Sequence, residues 1–421
     1  MSICIRAAKV IDKESPYHLK TVDIFIEKGL ISAIGADLKV KAKKEIRYPD
    51  LCVSMGWTDL MADYCEPGYE HKETLKNGLK VAAKGGFTTV FLAPNTQPSI
   101  SSKSIIQYLL TQSANQIVEA LPMGSISANI EGKNLAEMLD MRSAGAVAFS
   151  DGWKPLQNPA LMLKALEYVK AFDGIIAQIP MDMLLAEGGL MHEGPLSTQM
   201  GMPGIPSLAE SLFLHRDIEL LNYTNSRLHV NGIASADALN LVLQAKERKL
   251  NITYALSPYH LTLNDHALKS YDAVFKVLPP IRAEEDRSAL MNALIKGQVD
   301  GICSLHRPQD WDAKSKEFEY AAYGMNLQEM VFPIIYQSMS KTQKSLEALI
   351  HSLANKPNNI FNLGKAGLQL NATANLTLFS TSLNTLITKA QSLSANNPYL
   401  NQSLKGKVIG IVNGSQIAIN N

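Results

Sequence analysis

The sequence predicts a TIM (β/α)8 barrel carrying a small composite β domain, and three observations carry that prediction. From about residue 53 onward, short apolar runs alternate with longer stretches of helical spacing, the texture of repeated βα units around a parallel sheet. Eight such units are counted, the number that closes a barrel. Before and after them the chain alternates apolar and polar residues, so its two ends are expected to pair as one sheet beside the barrel.

Taken in order, ICIRAAKVI and TVDIFIEKGLISAIG read as antiparallel strands turning at Lys28-Gly29. Barrel strands are expected at 53–60, 88–92, 119–123, 146–149, 174–177, 227–232, 251–256 and 300–304. Helical spacing with few breakers fills 72–84, 159–172, 208–222 and 236–248. Strand signals return at 374–379 and 407–412, ending in Val412-Asn413-Gly414. The division that follows assigns 1–52 with 358–421 to the β domain and 53–357 to the barrel. A doubly wound open sheet is the other architecture that such a strand count allows.

Composition bounds the function classes. The chain has 421 residues, 46% hydrophobic and 19% charged, with a net charge of +1. That is enough chain for a full core and gives no electrostatic reason for a nucleic acid partner; small molecules and proteins are the expected partners. Cys4, Cys52, Cys65 and Cys303 show no metal-ribbon spacing and read as reduced thiols. Arg6, Lys9 and Asp12 interrupt the first apolar run, so neither a signal peptide nor a membrane span is expected there, and the location expected is cytoplasmic. The N-x-[ST] triplets at Asn222, Asn371 and Asn401 then read as chance.

The most informative stretch is Gly56 to Gly68, GWTDLMADYCEPG. It resembles the first barrel strand of the dihydroorotases, amidohydrolases in which that strand reads G-F-x-D-x-H-x-H-x-R-E-P-G. Gly56, Asp59, Glu66, Pro67 and Gly68 fit without a gap. In the family the two histidines share a strand face and hold zinc, and the arginine grips the substrate carboxylate. Here those positions are Met61, Asp63 and Cys65. A thioether suits zinc poorly, and one carboxylate does not replace two imidazoles.

The resemblance extends from near residue 1 to near residue 415. Gly85-Gly86-Phe87-Thr88-Thr89-Val90 and Ala93-Pro94-Asn95-Thr96-Gln97-Pro98 match the second strand, whose asparagine contacts substrate, so Asn95 is the retained contact. Gly145 to Asp151 matches the fourth strand, where an aspartate faces the metals; Asp151 is kept. Met191-His192-Glu193-Gly194, residues 201–206, Ala209-Glu210 and Arg216-Asp217 match the scaffold after strand five. The remaining metal positions depart from the pattern. Strand five offers Gln178 where a histidine is expected. The pattern H-x-x-H-x-S becomes His229-Val230-Asn231-Gly232-Ile233-Ala234, with Gly232 in place of a ligand. T-D-H-A-P-H becomes Ser304-Leu305-His306-Arg307-Pro308-Gln309, so Leu305 replaces the aspartate that binds metal and moves the proton. Among substrate contacts, Leu278 replaces an asparagine and Gln309 a histidine.

Opening a cyclic amide needs a metal-activated water, a Lewis acid and a base. The positions Met61, Asp63, Asp151, Gln178, Gly232 and Leu305 supply no such set, so no catalytic residue, no metal and no cofactor are expected, although the family uses zinc. His229 reads as an interior histidine with its bonds satisfied, His306 as a remnant contact at the mouth or a structural group, and His192 with Glu193 as loop supports. Asp63 and Asp151 are the acids that could form a new carboxylate pair across the barrel, unless they bond to Lys84 or Arg282. Cys65 lacks a cationic activator, and Cys303 reads as a buried strand residue. The resemblance implies a dihydroorotase-like protein of pyrimidine biosynthesis, either a non-catalytic homologue of the kind that partners aspartate transcarbamoylase, or an active cyclic amide hydrolase with a rebuilt site. A homo-oligomer is expected; a membrane partner is not.

Overall fold

The computed structural model describes residues 2–420. Both ends of the chain build one sheet. Ser2–Val10, Thr21–Glu27 and Leu30–Gly35 run antiparallel in sequence order. Lys28 and Gly29 turn the chain between the last two with φ of 52° and 85°, the left-handed pair that a tight I′ turn requires. Leu51–Met55 joins the first strand in parallel, and Asn375–Leu386 and Ser403–Asn413 continue the sheet beyond it. The sheet is therefore mixed rather than purely antiparallel. Its buried face holds Ile3, Ile5, Ile24, Leu376, Leu378 and Ile409.

The apolar run expected as one strand at 53–60 is divided at Gly56. Val53, Ser54 and Met55 pair with Leu378, Thr377 and Leu376 in the terminal sheet, and the barrel strand is Trp57–Ala62. Gly56 makes the handover, donating its N–H to the Asn375 carbonyl at 2.8 Å. A Cβ there would lie 2.1 Å from Asn375 Oδ1 and 2.2 Å from Thr88 Oγ1, so only glycine fits. Hydrophobicity is unbroken across the joint and carries no sign of it.

Two parallel sheets form the barrel wall. Trp57–Ala62, Phe87–Leu92 and Glu119–Pro122 make one, and Ile176–Gln178, Leu228–Asn231, Ile252–Leu256 and Gly301–Ile302 the other. The strand expected at 146–149 is reduced to single bridges from Phe149 to Gly124 and to Ile176, which join the sheets at one seam. A parallel bridge between Ala62 and His306 joins them at the other. An open doubly wound sheet would have no second seam, so that alternative is set aside. Helices Leu75–Gly85, Pro159–Lys170, Leu208–Thr224 and Ala236–Glu247 lie where helical spacing placed them. Thr74, Asn158 and Ser235 cap three of these by accepting backbone N–H groups of the first turn. Among the described residues no helix is long and apolar enough to cross a membrane.

Trp57 welds barrel to sheet. Its N–H donates to Thr377 Oγ1 at 3.2 Å and its indole N–H to Ser54 Oγ at 2.9 Å. Its ring packs 5.3 Å from Phe332 and 5.5 Å from Phe379, centroid to centroid.

Candidate functional site

At the C-terminal ends of the strands, where barrel chemistry belongs, lies a cavity of about 590 Å³ bordered by Asp63, Asn95, Trp153, Leu278, Arg307 and Gln309, among others. A second hollow of about 690 Å³ sits by the terminal sheet, against Lys9, Arg47 and Cys52, and includes none of the strand-end residues.

Each position aligned with a metal ligand has another engagement. Met61 is wholly buried in an apolar cluster with Leu60, Phe91, Met123 and Leu305. Asp63 accepts the Cys65 N–H at 2.9 Å and the Trp153 indole N–H at 3.3 Å. Burial raises its carboxyl above the usual range, with the Arg307 charge acting against that rise. Gln178 accepts the Leu156 N–H at 3.2 Å and turns its amide N–H toward Asp217 at 3.5 Å. Burial pushes Asp217 up to about 6.

Gly232 and Leu305 are fitted to each other. Gly232 has φ of 73°, and a Cβ on it would lie 2.7 Å from Leu305 Cδ1. Leu305 is itself in the left-handed region at φ 46°, buried with Met61. The volume that a histidine side chain at 232 would enter is thus occupied by the leucine at 305.

Asp151 does not meet Asp63. Its carboxylate accepts the Ile126 and Ser127 N–H groups at 2.9 and 3.0 Å and the Ser127 hydroxyl at 2.5 Å. The postulated carboxylate pair is therefore absent, because Asp151 is engaged by residues 126–127 and Asp63 by Cys65 and, across the mouth, by Trp153. Nor do Lys84 and Arg282 serve these acids. Lys84 pairs with Glu329 at 2.9 Å, and Arg282 faces Glu210 at 3.7 Å while donating to the Ile205 carbonyl and to His192.

Asn95 remains at the cavity, but both ends of its amide are in use. It donates to the Asp151 carbonyl at 3.0 Å and accepts the Trp153 N–H at 2.9 Å, fixing the loop after strand four. Gln309 accepts from Lys72 Nζ at 3.0 Å and donates to the Tyr323 carbonyl at 2.8 Å. Leu278 borders the cavity as an apolar wall. Cys65 is buried at φ 60°, and burial together with Asp63 raises its thiol far above the ordinary value, away from a reactive thiolate.

His229 bonds Thr253 Oγ1 at 2.8 Å and Asn231 Oδ1 at 3.2 Å, and burial lowers it to about 3. His306 does not reach the mouth. It is fully buried edge-on to the Tyr64 ring at 6.1 Å, neither ring nitrogen has a partner, and burial lowers it to about 3. The backbone explains the placement, since the left-handed turn at Leu305 puts its side chain in the apolar cluster with Met61 while His306 packs against Tyr64.

A zinc centre needs three or four nitrogen, oxygen or sulfur donors converging on one point. The six aligned positions offer a buried thioether at Met61, carboxylates at Asp63 and Asp151 and an amide at Gln178 that are already hydrogen-bonded, and no donor at Gly232 or Leu305. Among the described residues no group of three or more His, Cys, Asp or Glu is arranged to hold a metal ion. The residues present do not fit zinc. Reasoning from motifs does not single out Trp153 and Arg307, which border the cavity and stack on each other; the one available signal is arginine at 307, where the eighth-strand pattern has alanine.

The closed ring of parallel strands, with a sheet from both termini beside it, is the amidohydrolase architecture. The L-hydantoinase (dihydropyrimidinase) of Arthrobacter aurescens superimposes with a TM-score of 0.85 at 19% identity, covering 99% of this chain and 96% of that one. The dihydropyrimidinase of Brevibacillus agri gives 0.81 at 20%, covering 100% and 95%. At such identities the likeness is one of fold. A family model described as dihydro-orotase-like matches residues 52–238. The dihydroorotase of Syntrophus aciditrophicus is 35% identical over 97% of both chains, and that of Pelobacter propionicus 32% over 98% of both. The chain belongs to the dihydroorotase family.

Proposed function

We propose that this protein is a non-catalytic dihydroorotase homologue that serves pyrimidine biosynthesis as an assembly partner, with aspartate transcarbamoylase as the protein it supports. The observation behind the reading is the fitted pair Gly232 and Leu305, which fills the volume that a metal ligand at 232 would need. The saturated hydrogen bonding of Asp63, Asp151 and Gln178 agrees with it. For the partner, the support is a face with unpartnered leucines. Leu208 and Leu212 stand one helical turn apart, about half exposed.

The test is metal analysis of the purified protein with assays in both directions, on dihydroorotate and on carbamoyl aspartate. The expected result is no stoichiometric zinc and no turnover; zinc at one or more per chain with turnover would sink the reading. Sedimentation with the transcarbamoylase of the same organism tests the partner. A mixed complex is expected, and separate boundaries at micromolar concentration would refute it.

A second reading has the comparisons behind it. A protein named dihydroorotase matches at 35% identity over 97% of this chain, which favours an active cyclic amide hydrolase with a rebuilt site. Asp63, the acid bordering the cavity, would then be the residue to remove. Turnover that survived both Asp63→Asn and Asp151→Ala would eliminate a carboxylate-based version.

A further inference from the structure

We infer that the hollow beside the terminal sheet, which shares no residue with the barrel mouth, binds a phosphate monoester of nucleotide size, with Lys9 and Arg47 taking its charge. The inference goes beyond the reading above and holds whether or not the barrel is catalytic. Strand register builds the hollow. Lys9, in Ser2–Val10, is paired with Thr21 on one side and with Cys52, in Leu51–Met55, on the other. Paired residues share a sheet face, so these three side chains stand in a row across three strands. Helix Gln343–Leu353 closes one side through Gln343 and Leu346, and residues 47–50 close another. The space between them is about 690 Å³, within the usual range for small-molecule sites.

The cations around this space have donors to spare. Among the described residues no hydrogen bond, ion pair or ring contact engages Arg47. Lys9 gives one N–H to Gln343 Oε1 at 2.8 Å, which leaves two. Asp50, the acid on the wall, is in ion-pair contact with neither. At the Cys52 thiol on the floor, burial is the main influence and raises it to about 11; Lys9 opposes that rise more strongly than Asp50 adds to it, so positive charge prevails there. The stretch leading to Arg47 contributes Lys39, Lys41, Lys43 and Lys44, and its one acid, Glu45, is held by Arg6. Positive charge in excess at a concave site attracts anions. A solvated surface arginine needs no partner and alone would carry no argument, but Arg47 stands with a second cation over an apolar floor of Ile11, Leu51 and Leu346. The ligand follows from the walls. One arginine fork satisfies a planar carboxylate, whereas a phosphate dianion presents three acceptor oxygens and takes donors from several directions. Lys9 on the sheet, Arg47 on the bordering segment and the Thr21 and Thr381 hydroxyls match the second. A bare phosphate would fill little of the space; the Tyr48 ring offers a face to a flat body, and Asp50 an acceptor to its hydroxyl groups.

Adenosine and uridine monophosphates are the probes, titrated calorimetrically into the full-length protein, with the two nucleosides and inorganic phosphate as comparisons. Saturable binding of at least one nucleotide is expected, at least about tenfold tighter than that of its nucleoside and of inorganic phosphate. Arg47→Gln and Lys9→Gln should each weaken it about fivefold or more at low salt. Arg47 is exposed and without a partner, so its replacement leaves the fold intact. Lys154→Gln, which removes an exposed cation at the barrel mouth, should leave nucleotide affinity unchanged. The proposal is overturned if neither nucleotide binds saturably, or if a nucleoside or inorganic phosphate binds as tightly. It is overturned equally if Arg47→Gln leaves affinity unchanged, or if Lys154→Gln weakens binding as much as Arg47→Gln does, since the ligand would then sit at the barrel mouth.

Discussion

Among individual residues, His306 makes the sharpest statement about energetics. An imidazole with neither nitrogen bonded forgoes its hydrogen bonds to water, a penalty of about 1–3 kcal/mol for each unsatisfied buried group. In the unfolded chain it takes up a proton below about pH 6.5, whereas the folded protein keeps it neutral down to about 3. The unfolded state therefore binds more protons in that window. The contribution of this site to stability is fully present above about pH 6.5 and declines below it, by about 1.4 kcal/mol per pH unit for one group. Urea midpoints collected between pH 8 and pH 4 should show a shallower acid decline for His306→Phe than for the parent, and no loss of stability at pH 8. A steeper decline, or a large loss at pH 8, would mean that the imidazole has a partner. Asp59 and Asp217, pushed up to about 6 by burial, act in the opposite sense, so the informative quantity is the difference between variant and parent. Residues of this kind were the least legible in sequence. The eighth strand is Gly301–Ile302, so His306 lies beyond it on an isolated bridge to Ala62, and its direction is set by the left-handed turn at Leu305, which no motif signals.

At the scale of elements, the loop after strand four depends on one amide. Asn95 holds both the Asp151 carbonyl and the Trp153 N–H, and Trp153 in turn carries Asp63 and Arg307. Asn95→Ala should remove about 1–3 kcal/mol of stability and leave the Trp153 amide exchanging with solvent faster. Hydrogen exchange resolved to residues 150–156 checks this; unaltered protection there would show that the loop is held by other contacts. The elements themselves were mostly readable from the sequence. Helical spacing placed the four helices it named within three residues at each end, because their buried stripes face the barrel wall, but it did not single out Glu284–Ile295 or Gln343–Leu353. The failures came where an apolar run changes partner without changing composition, as at Gly56, and where a strand is so short that only Phe149 bridges. Neither leaves a periodic trace.

For the whole molecule, the terminal sheet is part of the same folding unit as the barrel. Asn375–Leu386 covers Leu51–Met55, and Phe379 and Thr377 meet Trp57 at the start of the first barrel strand. A chain ending at residue 370 should lose its cooperative thermal transition and bind a hydrophobic dye, whereas the full chain should melt in one step. A truncated protein with an intact transition would show that the barrel folds without its sheet. The candidate site was legible as a set of departures from a pattern, since Met61, Gln178, Gly232 and Leu305 could be identified from order alone. The other groups at the cavity were not legible, because Arg307 and Trp153 become neighbours only when strands four and eight are brought together across the mouth. The fitted pair at 232 and 305 also has a consequence for substitution. A histidine at 232 would run into Leu305, and an aspartate at 305 would find the apolar Met61 beside it. A change at either position alone is opposed by the residue at the other, so the two are energetically coupled and their substitutions would not add independently.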